Sequence, residues 1–365
     1  MAGVTAQDTR WRLVRTAAGA MTAALLLAGC AANEAGDKPS ALVGTVVGAG
    51  SSAQAPAQEV WVSAFQSNNS RVTINYDPTG SGAGREQFIG GGVDFAGSDS
   101  ALSETELAGE FAACAPNSQA IDLPVYISPL VLIFNVEGVD DLRLDAATIA
   151  AIFAGTVETW SDPAIAALNP GAALPDAHIT AVHRSDDSGS TKNFADYLHQ
   201  NAPETWDQEP ADAFPYKSGE GAQGNSGVVS AVANGRNTIG YVDASRAADL
   251  SVASLKVGEE FVEYSSEAAA AIIDASPIAD RPNPHDLVVD VDRKSTAPGV
   301  YPLVLVSYLI ACERYPDPQA ASLLKAYLGY VASVEGQAAA ARSAGSAPLS
   351  TAFSQRVQGA IDTIE

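Results

Sequence analysis

Short apolar runs and amphipathic stretches alternate along this chain, and that alternation leaves few architectures open. Apolar runs at 42–47, 72–76, 93–96, 123–135, 178–183, 238–242 and 303–309 each predict a strand. Segments with helical periodicity lie between and after them, at 56–66, 84–90, 104–113, 145–154, 162–168, 191–199, 226–233, 318–329 and 334–341. Strands interleaved with helices pack as an α/β fold, with the sheet covered by helices. No linker composition separates two halves. Instead, the long run at 123–135 and the stretch near 288–292 are expected to be crossing strands. There is no internal repeat.

The first thirty residues follow a different logic. Arg10, Arg12 and Arg15 form a positive segment, and an uncharged apolar stretch follows at 16–27. That stretch is too short to span a bilayer as a mature helix and reads as a signal peptide over 1–29. Leu27-Ala28-Gly29-Cys30 resembles a bacterial lipobox, in which the cysteine is diacylated and becomes the new N-terminus. Residues 30–41 are small, polar and turn-rich, as in a flexible tether. The expected product is exported and lipid-anchored through Cys30 to the outer face of the cell membrane.

The remainder is long enough for two lobes, expected as 42–134 with 293–365, and 135–292. A net charge of −23 argues against nucleic acid and against a basic membrane-binding patch. Beyond Cys30 only Cys114 and Cys312 remain, and an even pair in an oxidising compartment favours a disulfide. The four histidines, His178, His183, His199 and His285, show no metal-ligand spacing.

Three loops stand where helices are expected to begin: GAGSS at 48–52, TGSGAG at 79–84, and RSDDSGST at 184–191. The first backbone N–H groups of a helix have no partner inside it, and they carry partial positive charge. Glycine lets the backbone approach a guest, and serine adds an O–H donor, so such ends bind oxyanions. One such loop is an ordinary turn. Three of them, with Arg184 beside the third, point to an anion site. The order Asp187-Ser188-Gly189 also surrounds the nucleophile of trypsin-like hydrolases, which demands a base within reach of Ser188. His183 is the neighbouring candidate, but strand alternation turns it away from Arg184, and no GxSxG elbow is present.

Taken together, these stretches resemble the phosphate-binding protein of the bacterial ABC phosphate importer (PstS type). The matching pieces are GAGSSAQAP (48–56), GSGAG (80–84), VDFAGSDSALS (93–103), IFAGTVETWSDPAIAALNPG (152–171), HRSDDSGSTKNFADYL (183–198), GNSGVVSAV (224–232), IGYVD (239–243) and YPLVLVSYLI (301–310). The resemblance implies a two-lobed periplasmic-binding-protein-like fold, a type II solute-binding protein with its ligand in the inter-lobe cleft. It implies phosphate ligands at Ser52, the Ala53 N–H, Ser81, Asp99, Arg184, Ser188, Gly189 and Ser190. Ala53 stands where the family has a phenylalanine. Asp187 and Ser190 stand where it has glycine and threonine. The implied partners are inorganic phosphate, a membrane ABC permease, and the membrane itself through the anchor. No cofactor, metal or enzymatic activity is expected, and the chain is expected to be a monomer. The alternative is an anion-sensing or interaction protein outside the membrane on the same fold.

The chemistry of these residues is consistent with that guest. Arg184 offers a planar fork of donors to phosphate oxygens, and Asp186 can hold the guanidinium or serve the following helix. Asp99 is the unusual member, a carboxylate set against an anion. Phosphate near neutral pH still carries a proton that Asp99 can accept. Sulfate carries none, so it meets an unpaired and repelling acceptor. Ser103, with Glu106 at capping-box spacing, is the better cap for the following helix. Phe153, Trp160, Leu168 and Tyr241 are expected to pack, and Asn225 and Ser226 to cap a helix.

Overall fold

The computed structural model describes residues 42–247 and 249–365. The expected leader, the Cys30 anchor and the tether fall outside the described residues. Among the described residues, no helix is long and apolar enough to cross a membrane.

The sheet is built around one long strand. Strands β1 (Gly44–Gly50), β2 (Val72–Asp77) and β3 (Phe95–Ser98) run parallel with β1 in the middle. Strand β4 (Ala120–Asn135) follows, then β5 (Arg143–Leu144), β6 (Thr180–Arg184), β7 (Glu220–Ala222) and β8 (Thr238–Asp243). Short β9 (Ser251–Val252), β10 (Ser254–Val257) and β11 (Glu260–Val262) precede β12 (Val304–Cys312). The order is β2-β1-β3-β12-β4-β8-β6-β7, with β9 also on β4 and a separate sheet β11-β10-β5. Two parallel groups are thus joined through antiparallel β12 and β4.

Strand β4 explains the joint. Residues 120–129 pair with β12, and residues 130–135 pair with β8. Pro129, which has no N–H to donate, sits at the exchange of partners. All of β4 except Asn135 is buried, as a near-continuous apolar run in a covered sheet should be. The expected second crossing strand at 288–292 is absent. Val289 makes only an isolated bridge to Ile278. The backbone there is held instead by the segment before it, with Ala279 N–H donating to Val288 O and Asp290 N–H to Pro277 O, while Leu287 N–H donates to Asp122 O and Val289 N–H to Tyr308 Oη.

The helices are α1 (Ala55–Asn68), α2 (Ser81–Ile89), α3 (Glu104–Leu107), α4 (Ala146–Ala154), α5 (Pro163–Leu168) and α6 (Gly189–Asn201). After these come α7 (Gly224–Asn234), α8 (Ser266–Ala275), α9 (Pro318–Val331), α10 (Val334–Ala344) and α11 (Thr351–Ile361). Helix α3 ends well before residue 113, although its start carries the expected capping box between Ser103 and Glu106. Helices α8 and α11 were not anticipated. Cys114 and Cys312 are joined by a disulfide across 198 residues of chain. Contacts across the sheet bind residues 42–365 into one unit.

Candidate functional site

The loops at the carboxyl ends of β1, β3 and β6 converge, as ligand-binding loops do in α/β folds. Residues 51–54 leave β1, Asp99 and Ser100 follow β3, and residues 185–188 follow β6. Helix α2 begins at Ser81 and α6 at Gly189, so their N-termini enter the same region.

Asp99 is the centre of the cluster, with 3% of its surface exposed. Its Oδ1 accepts from Ser51 Oγ and Ser307 Oγ, each at 2.5 Å, and its Oδ2 accepts from Ser190 Oγ at 2.9 Å. The Asp99 N–H donates to Ser81 Oγ at 3.1 Å, and Asn193 Nδ2 donates to Asp99 O at 2.7 Å. Burial pushes its carboxyl above the ordinary value, while the three hydroxyls and the nearby Arg184 charge oppose that rise. Gly189 packs so closely here that a Cβ would lie 2.6 Å from the carbonyl carbon of Asp99. Only glycine fits.

Arg184 is also 3% exposed. Its Nε donates to Asp186 Oδ1 at 2.7 Å, and its Nη2 pairs with Asp186 Oδ2. Asp186 therefore holds the guanidinium. Burial raises the Asp186 carboxyl, but the Arg184 hydrogen bonds and charge outweigh it and hold that group below the usual range. The Gly224 N–H adds a bond to Asp186 Oδ1 at 3.0 Å. Gly80 adopts φ 105°, and a Cβ there would come within 2.6 Å of Asp186 Oδ2. Nη1 of Arg184 has no protein acceptor among the described residues. A buried cation with a donor to spare has the chemistry to receive an anion.

The remaining expected residues fall in the same place. Ser52 Oγ accepts from Asn225 N–H at 3.2 Å and Nδ2 at 3.0 Å. The Ala53 N–H is directed to Ser51 Oγ at 3.1 Å. Ser188 is the N-cap of α6, its Oγ accepting the Thr191 N–H at 3.3 Å, so the helix starts at Gly189 and not at Thr191. Asp187 is exposed, as an acidic neighbour of an anion site must be, and only its carbonyl turns inward, to the Gly82 N–H. Tyr241 packs on Phe194 and accepts the Arg184 N–H.

Other partners were not legible as such. Asn225 does not cap α7, whose N-cap is Gln223. Its side chain is buried between Ser52 and the Asp243 N–H. Arg85 on α2 reaches Asp212 at 2.5 Å, and Ser100 Oγ donates to the same carboxylate at 2.9 Å. Ser51 and Ser307 complete the set around Asp99. The repeated serine at 51 and 52 was the available signal for the first, and nothing local marked Ser307. A cavity of about 380 Å³, lined by Asp99, Lys192, Asn193 and Arg293, reaches the cluster from one side. A cavity of about 250 Å³, lined by Ser52, Thr79, Gly224 and Arg246, reaches it from another. A larger one, about 590 Å³, runs along α1 past Glu59 and Gln66 and holds none of the expected anion ligands.

The hydrolase arrangement is not formed. The His183 ring stacks on Phe214 at 3.9 Å, and its Nδ1 bonds Arg184 O, which leaves Ser188 without a base.

The family model described as a PBP superfamily domain matches residues 35–335. The chain is 36% identical over 366 residues to phosphate-binding protein PstS 3 of Mycobacterium leprae, covering 95% of this chain and 98% of that one. It belongs to the PstS family of the PBP superfamily. A second relative, PstS 3 of Mycobacterium tuberculosis H37Rv, is 38% identical over 290 residues, 78% of this chain and 77% of its own. The PstS-type fold is shared with a high-affinity periplasmic phosphate-binding protein solved with phosphate at pH 8.5, with a TM-score of 0.69 and 24% identity over 87% of this chain and 93% of that one. A phosphate-binding protein from Stenotrophomonas maltophilia gives a TM-score of 0.67 at 20% identity, covering 87% and 94%. In this PstS-family chain, the serines, Asp99 and Arg184 stand together at the carboxyl ends of β1, β3 and β6.

Proposed function

We propose that this chain is an extracytoplasmic solute-binding protein that takes up inorganic phosphate and delivers it to a membrane ABC permease. Membership of the PstS family supports the transport role. The observation that carries the ligand is the pairing of a buried guanidinium that has a free donor with a buried carboxylate that lies beside it. A fully ionised guest satisfies only the first, and a partly protonated tetrahedral oxyanion satisfies both.

The ligand set is read as Ser52, the Ala53 N–H, Ser81, Asp99, Arg184, Ser188, Gly189 and Ser190, with Asp186 holding Arg184. The two lobes are read as 42–134 with 293–365, and 135–292. The exchange of β4 between β12 and β8 supports a crossing near that first boundary. The chain acts as a monomer without enzymatic activity and is held to the membrane through a diacylated Cys30.

The test is equilibrium dialysis of ligand-stripped protein with radiolabelled phosphate. Binding at micromolar concentration or tighter, competed by arsenate and not by excess sulfate, is the expected result. A folded protein that binds no phosphate refutes the assignment and favours a sensory or interaction role. Mass spectrometry of the mature N-terminus tests Cys30 separately.

A further inference from the structure

Gln54 links the Asp99 cluster to a buried hydrogen-bond chain that runs back into the helical layer. Its Nε2 donates to Ser307 Oγ at 2.7 Å and to Tyr308 O at 2.8 Å. A carbonyl accepts only, so the amide nitrogen must face this way and the orientation of Gln54 is fixed. Its Oε1 accepts from Gln58 Nε2 at 3.0 Å, and Gln58 Oε1 accepts from Tyr327 Oη at 2.7 Å. All four side chains, Gln54, Gln58, Ser307 and Tyr327, are buried.

The direction of every proton in this chain follows. Ser307 Oγ receives a proton from Gln54, and the one acceptor for its own proton among the described residues is Asp99 Oδ1. Ser51 Oγ receives the Ala53 and Gln54 N–H groups, and its proton likewise has Oδ1 as its acceptor. Two hydroxyl protons therefore converge on Oδ1 and keep a third off it. Oδ2, which meets Ser190, is the oxygen left for the guest.

We propose that the chain Tyr327–Gln58–Gln54–Ser307 determines anion specificity by positioning: it directs the Ser307 proton onto Asp99, so that Asp99 accepts and the guest must supply the proton. Gln54 and Ser307 are positioning residues and do not touch the guest. The inference rests on the phosphate-binding reading and deepens it. Other charged and titratable groups lie around Asp99. Arg184 acts on it from β6, Tyr76 on β2 and Asp243 on β8 each feel its charge, and Lys192, Asp196 and Arg293 share its cavity. Of these, Arg184 favours the ionised form and burial opposes it. The directed hydroxyls add to Arg184 and favour the acceptor state.

The experiment is equilibrium dialysis of the full protein with radiolabelled sulfate and phosphate in parallel, from pH 4.5 to 8. Sulfate binding is expected only at the acid end, where a protonated Asp99 Oδ2 can donate. In Ser307→Ala and Gln54→Leu the onset of sulfate binding moves up by about one pH unit or more, since a hydrogen bond to a charged group is lost. The sulfate-to-phosphate affinity ratio at fixed acid pH rises about tenfold, by the same conversion. Tyr327→Phe, with hardly any change in volume, moves the onset the same way by less, and Ser307→Thr restores it. A purely structural role would lower both affinities together and leave the onset in place, which would overturn the proposal. If Ser307→Ala and Gln54→Leu do not fold, an unmoved onset in Tyr327→Phe overturns it. Failure of the unaltered protein to bind phosphate would instead strike the function itself.

Discussion

Arg184→Ala is the most direct perturbation of the site. Arg184 directs Nε and Nη2 to Asp186 and keeps Nη1 free of any protein acceptor, inside a cluster almost closed to water. A hydrogen bond to a charged partner contributes about 1.5–3 kcal/mol, and burial keeps it near the upper part of that range. Removing the guanidinium also leaves Asp186 and Asp99 without their counter-charge, and both then repel the guest. The expected loss is at least about 2 kcal/mol, or roughly 30-fold in phosphate affinity, and up to about 10⁴-fold if two bonds are made. Arg184→Lys keeps a charge but not the fork, and falls between the two. Isothermal titration of stripped protein measures the effect. Because breaking a buried ion pair can cost about 3–5 kcal/mol of stability, circular dichroism and a melting curve must show that the variant is folded. A folded Arg184→Ala protein within fivefold of the parent affinity would remove Arg184 from contact with the guest.

Other consequences are equally concrete. Asp99→Asn keeps the fold and admits sulfate, since an amide can donate where the carboxylate only accepts; unchanged discrimination in competition dialysis would rule out the proton-acceptor role. Replacing Cys114 and Cys312 by serine frees a loop of 198 residues and costs up to about 5 kcal/mol by the chain-entropy relation, read as a lower melting temperature. Asp243 is fully buried, and burial pushes its carboxyl up to about 6. The native state then holds a proton that the unfolded chain releases near pH 4. Stability from this group is therefore greatest below pH 4 and falls as pH rises through about 6, by roughly 3 kcal/mol. Asp243→Asn should gain that much relative to the parent between pH 4 and 7 in urea unfolding; a difference that stays flat with pH contradicts it.

Much of this molecule can be read along the chain because its physics is local. Strand and helix periodicity, the Ser103–Glu106 capping box, and Gly/Ser loops ahead of helices all depend on residues a few positions apart. So does Arg184 with Asp186, two positions along. Helix α8 was not anticipated, although Ser265 caps it and Ala268, Ala269, Ile272 and Ile273 form one buried face. The strand expected at 288–292 failed because its backbone groups find partners on residues 276–279 and on the Tyr308 hydroxyl, which local pattern does not report.

What the sequence determined by itself was the α/β class and the glycine- and serine-rich loops, with Arg184, that converge on Asp99. Each is a property of neighbouring residues and of side-chain chemistry. Only the tertiary structure decided which distant groups complete the site: Ser307 lies 208 residues from Asp99, Asn225 lies 173 from Ser52, and Asp212 lies 127 from Arg85. Hydrogen-bond direction and burial depend on every atom that reaches a point in space, and a chain brings those atoms together only by folding.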